Sequence, residues 1–148
     1  MAVAETDALL RRGLHSAALA ERERRVVAGV VAILRERLDE RLLAVWLYGS
    51  RARNEADPAE VHPDRRSDVD LMVVVEPGQD SGQIGWEMQP LIEGIAEEEG
   101  DSPVWYSVLF YDADRLRERR RIESFFLREV DRDKLVLAGS ALEGDRYR

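Results

Sequence analysis

Cysteine is absent from this 148-residue chain, which excludes disulfides, thiolate nucleophiles and cysteine-type zinc sites. Only His15 and His62 can serve as imidazole ligands or bases, and they fall in different segments. No apolar run approaches the ~20 residues that a membrane-spanning helix requires. The start, MAVAETDALLRRG, meets an acid and then arginines before any long apolar stretch develops, unlike a secretory leader. A cytoplasmic location with no membrane partner is therefore expected. Lysine is nearly missing too: Lys134 is the only one, so there is no P-loop lysine, and no GxxxxGK[ST] pattern occurs. The net charge of −8 disfavours nonspecific binding to a nucleic-acid backbone, which needs a basic footprint. A nucleotide stays admissible, because metal ions and backbone N–H groups can hold its phosphates.

What is present describes a globular chain. With 45% hydrophobic and 35% charged residues, and a length suited to one ordinary core, a single domain over 1–148 is expected, with N-terminal helices in 1–40 and a core of sheet and helices in 42–138. Val27, Val30, Val31, Leu34 and Leu38 recur at helical spacing, predicting an amphipathic helix over about residues 20–40. A shorter helix is expected around Thr6–Ala20, interrupted near Gly13. LLAVWLY (Leu42–Tyr48) and LMVVV (Leu71–Val75) are short continuous apolar runs suited to strands buried on both faces. Residues 54–67, with two prolines and many acids, read as a loop. A second amphipathic helix carries Ile84, Met88, Leu91, Ile92 and Ile95; a third strand is VWYSVLFY (Val104–Tyr111), after which Asp112 is placed to cap a helix. A short helix around Ser124–Asp131 and an apolar piece, KLVLAG, follow. The alternation predicts an α/β (α+β) layer structure, a mixed sheet flanked by helices.

Within that frame one stretch carries chemistry: LYGSRARNEADPAEVHPDRRSDVDLMVVV, Leu47–Val75. Side chains alternate along a strand, so Asp68 and Asp70 share a face, with Cα atoms roughly 6.6 Å apart, near enough for both carboxylates to converge on one cation. Magnesium takes oxygen ligands, commonly one or two carboxylates completed by water and substrate phosphate. Gly49 and Ser50 end the preceding strand; glycine allows close backbone approach, and the serine hydroxyl and neighbouring N–H groups can bind phosphate oxygens. Arg51 and Arg53 follow the turn, placed to add charge toward a triphosphate. Trp46, Trp86 and Trp105 read first as packing residues, with Trp86 also a candidate for an acceptor pocket, and the arginines of 115–121 as a solvated helix face laced with acids.

GSRAR followed by SDVDLMVVV resembles the signature of nucleotidyltransferases of the DNA polymerase beta superfamily, especially its small stand-alone (minimal) prokaryotic members. The likeness is carried by Leu43–Val75 and extends, through the order of helices and strands, over most of the chain. It implies the nucleotidyltransferase fold, with Asp68 and Asp70 as catalytic metal ligands for Mg2+ or Mn2+, and Gly49, Ser50, Arg51 and Arg53 as binders of a nucleoside triphosphate, ATP being the expected one. It implies transfer of a nucleoside monophosphate to a small-molecule or protein hydroxyl. It also implies a partner, either a small helical protein, as in toxin–antitoxin pairs, or a homodimer mate, because no acceptor-binding domain is visible. The chain departs from the pattern in a longer segment between Gly-Ser and the acids, in Asn54 where glycine is usual, and in Ser107, which matches the position of the family's third carboxylate. Asp101 and Asp112 flank that strand without matching it. Two readings therefore stand at this point: an enzyme, or a catalytically impaired nucleotide-binding module acting as antitoxin or regulator.

Overall fold

Two helices open the chain in the computed structural model, which describes residues 3–55, 58–122 and 124–143. Helix α1 spans Val3–Ser16 and α2 spans Glu21–Leu38. The expected break at Gly13 does not occur. A Cβ there would lie 2.6 Å from Leu137 Cδ2 and 3.3 Å from the Val136 carbonyl oxygen, so this glycine lets the helix pass close over a strand rather than ending it. In α2 the predicted stripe is the buried face: Val26, Val27, Val30, Val31, Leu34 and Leu38 are almost wholly shielded. One acid, Glu23, lies on that same buried side.

Strand β1 (Leu42–Tyr48) begins where the apolar run begins, and β2 covers Val69–Val75. Helix α3 (Ser81–Glu98) is capped by the Asp80 side chain, which accepts from the Gln83 N–H at 3.0 Å. Strand β3 runs Tyr106–Asp112; the first residues expected in it, up to Trp105, form a short 3-10 turn behind Pro103 instead. Helix α4 (Ala113–Arg121) starts on the expected cap, the Asp112 carboxylate accepting from the Arg115 N–H at 2.9 Å. Helix α5 (Phe125–Asp133) and strand β4 (Leu135–Gly139) complete the order.

The strands form one mixed sheet in the order β3-β2-β1-β4. β1 is antiparallel to both β2 and β4, whereas β2 and β3 are parallel, joined by α3 as a crossover. Alternation along the strands divides the core into two. Val45, Leu47, Leu71, Val73 and Phe110 pack with α1, α2 and α3 on one face. Ala44, Trp46, Met72, Val74 and Tyr111 pack with Leu116 of α4 and Leu127 and Val130 of α5 on the other. Both faces of β1 and β2 are thus covered, which is why their sequences read as unbroken apolar runs.

The second face also holds Lys134. Its ammonium stands 3.8 Å from the centre of the Trp46 ring and donates to Asp131 Oδ1 at 2.7 Å and to the Ala141 carbonyl at 2.8 Å. Arg120 reaches the same carboxylate group through both oxygens, 3.0 and 2.7 Å, so a buried acid is matched by two cations. Among the described residues no helix is long and apolar enough to cross a membrane.

Candidate functional site

β1 and β2 place their chemistry at one end of the sheet. Antiparallel register sets Tyr48 opposite Asp70, and the next residue, Gly49, turns the chain with φ at +79°. A Cβ on Gly49 would meet Asp70 Oδ2 at 2.7 Å. The turn therefore requires glycine twice: for the left-handed backbone, and because the carboxylate occupies the space a side chain would need. The Ala52 and Arg53 N–H groups both donate to the Gly49 carbonyl, at 3.0 and 3.2 Å, closing the turn.

Asp70 follows the strand parity of Met72 and Val74 and so belongs to the α4–α5 face of the sheet. It is half-buried, while Asp68, just before the strand, is exposed. Burial first, and the neighbouring Asp68 charge second, push the Asp70 carboxyl up to about 6, with Arg51 partly opposing. Burial and Asp70 also push the Tyr48 hydroxyl up. The pair thus concentrates negative potential that a cation would relieve. Its chemistry fits a hard divalent ion that takes the rest of its shell from water and phosphate. Among the described residues no group of three or more acids and histidines is arranged to hold a metal ion, so these two carboxylates stand as a pair.

Parallel register brings Ser107 beside Asp70. Ser107, Leu109 and Tyr111 share a parity, and Tyr111 belongs to the α4–α5 core, so Ser107 and Asp70 project from the same face of adjacent strands. The position singled out in the sequence is therefore the one next to the acid pair, and it carries a hydroxyl. Asp101 does not replace it. Its carboxylate accepts from both terminal nitrogens of Arg66, at 2.8 and 2.5 Å, and from the Tyr106 hydroxyl at 2.6 Å. Burial raises the Asp101 carboxyl, but Arg66 and Tyr106 outweigh it and hold the group down to about 2. Asp112 is spent on its helix cap.

Gly49, Ser50, Arg53 and Asp70 line one open cleft of about 270 Å³ together with Tyr48 and with Phe126, Glu129 and Val130 of α5. Arg53 is anchored across it, 3.1 Å from Glu55 and 3.5 Å from Asp133 at the end of α5. Trp86 is 77% exposed on α3, outside this lining.

Arg51 corrects the expectation of a phosphate contact. Its side chain is fully buried and turned away from the cleft, paired with both oxygens of Glu23 at 2.6 and 2.9 Å. It also donates to the Ala18 carbonyl at 2.9 Å and to the Ser67 hydroxyl and carbonyl at 3.1 and 2.7 Å. Arg66 adds a further donor to Glu23 at 3.0 Å and lies 4.8 Å from the Trp105 ring centre. Burial raises the Glu23 carboxyl, and the Arg51 hydrogen bonds, the Ala20 N–H and Arg66 reverse this, leaving it below the ordinary value. Glu23, Arg51, Arg66 and Asp101 form a charge-balanced buried chain that ties both ends of the 51–67 segment to α2 and to the entry of β3. Ser50 joins it through a 3.2 Å hydroxyl contact with Ser67. The sequence signal for this network was Glu23 itself, an acid four residues before Val27 on an apolar stripe, which demands a buried cation.

No protein-family model matches the chain, and no curated protein sequence does. Among solved structures, the chain resembles the crystal structure of a proposed nucleotidyltransferase from Sulfolobus solfataricus, at 16% identity and a TM-score of 0.37, over 88% of this chain and 84% of that one.

Proposed function

We propose that the protein is a divalent-metal-dependent nucleotidyltransferase that moves a nucleoside monophosphate from a nucleoside triphosphate, with ATP as the expected donor, to a hydroxyl acceptor. The observation that carries this reading is the abutment of Gly49 and Asp70: a left-handed glycine turn suited to phosphate touches the carboxylate suited to a cation. Gly49 and Ser50 bind terminal phosphate oxygens, Arg53 adds positive charge at the cleft, and Asp68 and Asp70 hold Mg2+ or Mn2+. The ion, when bound, supplies neutralisation of triphosphate charge and acidification of the acceptor hydroxyl. The acceptor oxygen bonds to the α-phosphorus, the bond from that phosphorus to the bridging oxygen breaks, pyrophosphate leaves, and the hydroxyl proton passes to solvent. The buried chain from Glu23 to Asp101 fixes the turn and the acid strand relative to one another, so that phosphate and cation meet in one geometry. The acceptor is a small-molecule or protein hydroxyl, and a second protein, a small helical one or another copy of this chain, supplies the surface that presents it.

Ser107 supports a second reading, a nucleotide-binding module that regulates by association. Beside Asp70 it provides neither a third ligand of carboxylate strength nor a base. Incubating the protein with Mg2+ or Mn2+, labelled ATP and candidate acceptors separates the readings. Transfer that vanishes in Asp68→Ala/Asp70→Ala is expected for the enzyme; metal-dependent ATP binding without transfer under any condition favours the module. Absence of ATP binding by the wild type sinks both.

A further inference from the structure

Phosphate and cation account for one wall of the cleft and leave α5 unexplained. Phe126, Glu129 and Val130 stand at i, i+3 and i+4, so a single helix face is presented to the Gly-Ser turn and Asp70. Leu127 and Val130 are buried in the core, but Phe126 remains 37% exposed beside the cleft. Its ring meets Tyr48 edge to face, centroids 5.5 Å apart at 85°, which fixes its orientation. Arg53 ties the end of this helix to the turn through Asp133, so the two walls are held in register. At about 270 Å³ the cleft falls just below the ~300–1,000 Å³ usual for small-molecule sites. Glu129 adds an acceptor-only carboxylate to this wall. Such a group repels phosphate and suits hydroxyl donors.

We propose that α5 is the nucleoside wall of the site: Phe126 packs against the base, and Glu129 accepts a hydrogen bond from a ribose hydroxyl. This rests on the triphosphate reading of Gly49, Ser50 and Asp70, and it makes the donor a ribonucleotide chosen for its aromatic base and its sugar diol. The base is gripped by its face, which every base possesses, so the sugar is selected more strictly than the base.

Calorimetric titration with Mg2+ present tests this, using ATP, 2′,3′-dideoxy-ATP and inorganic tripolyphosphate as ligands. Phe126→Ala should weaken ATP roughly tenfold while leaving tripolyphosphate within about twofold, because only the nucleoside loses its contact. Phe126→Leu, which keeps apolar packing against Tyr48 without an aromatic face, should also weaken ATP selectively, so a folding defect does not hide the result. The wild type should prefer ATP to its dideoxy analogue, and Glu129→Gln should narrow that preference. Unchanged ATP affinity in both Phe126 variants, or equal losses for ATP and tripolyphosphate, overturns the nucleoside wall while the phosphate site survives. A wild type that binds neither ligand removes the phosphate site and this wall together.

Discussion

Glu23 shows how one side chain fixes the site without touching the cleft. It accepts from Arg51 and Arg66 with no solvent access, so neutralising it leaves two guanidinium groups facing an amide. Glu23→Gln should cost about 3–5 kcal/mol of unfolding free energy, as is typical when one partner of a buried ion pair is removed. Urea denaturation measures it, and a loss below ~1 kcal/mol, the scale of an exposed pair, would contradict the buried network. The same residues mark the limit of sequence reading. The placement of Gly49 and Asp70 at one sheet end was legible because it is local, set by a turn and a strand. Arg51 was read as a phosphate contact because its partner lies 28 residues earlier on a helix whose docking no local pattern reveals. Phe126, which lines the cleft, comes from a short helix whose placement there depends on the whole sheet order.

Strands and helices translate these residues into register. β1 was legible to the residue because both its faces are buried, which compresses its code into an apolar run. The start of β3 was not, because Pro103 favours a turn and lacks the N–H a ladder needs, so pairing begins only at Tyr106. Helix α1 runs through its glycine because close packing on β4 outweighs intrinsic helix propensity. Register makes Ser107 the neighbour of Asp70, and this yields an expectation for the element. Ser107→Asp should raise affinity for Mn2+ roughly tenfold by adding a third carboxylate to the face shared with Asp70, as ligand charge tunes cation sites. Titration with Mn2+ reads this directly; no gain would mean that position 107 does not face the ion.

Across the whole molecule, acids and arginines are matched inside as well as outside. Glu23, Asp101 and Asp131 all have carboxyls held below their ordinary values by buried cationic partners. Asp101 is faced by Arg66 and Tyr106, with Arg22 at 4.0 Å. Its folded carboxyl is held down to about 2, below the ~3.9 of an unfolded aspartate, so its stabilisation is present above that range and is lost as pH falls from ~4 toward ~2. Urea midpoints recorded against pH should decline over that window, and Asp101→Asn should flatten the decline while lowering the midpoint near neutrality. The mixed order β3-β2-β1-β4 was the least legible feature, since nothing local tells β1 to run antiparallel to both neighbours. That order brings Lys134, the only lysine in the chain, over the Trp46 ring with its ammonium committed to Asp131 and Ala141 and its side chain only 4% exposed. Acylating reagents that label side-chain amines have no other lysine to attack, and this one yields its amine only when the β4 corner opens. The rate of lysine acylation is thereby a built-in gauge of how often that corner breathes.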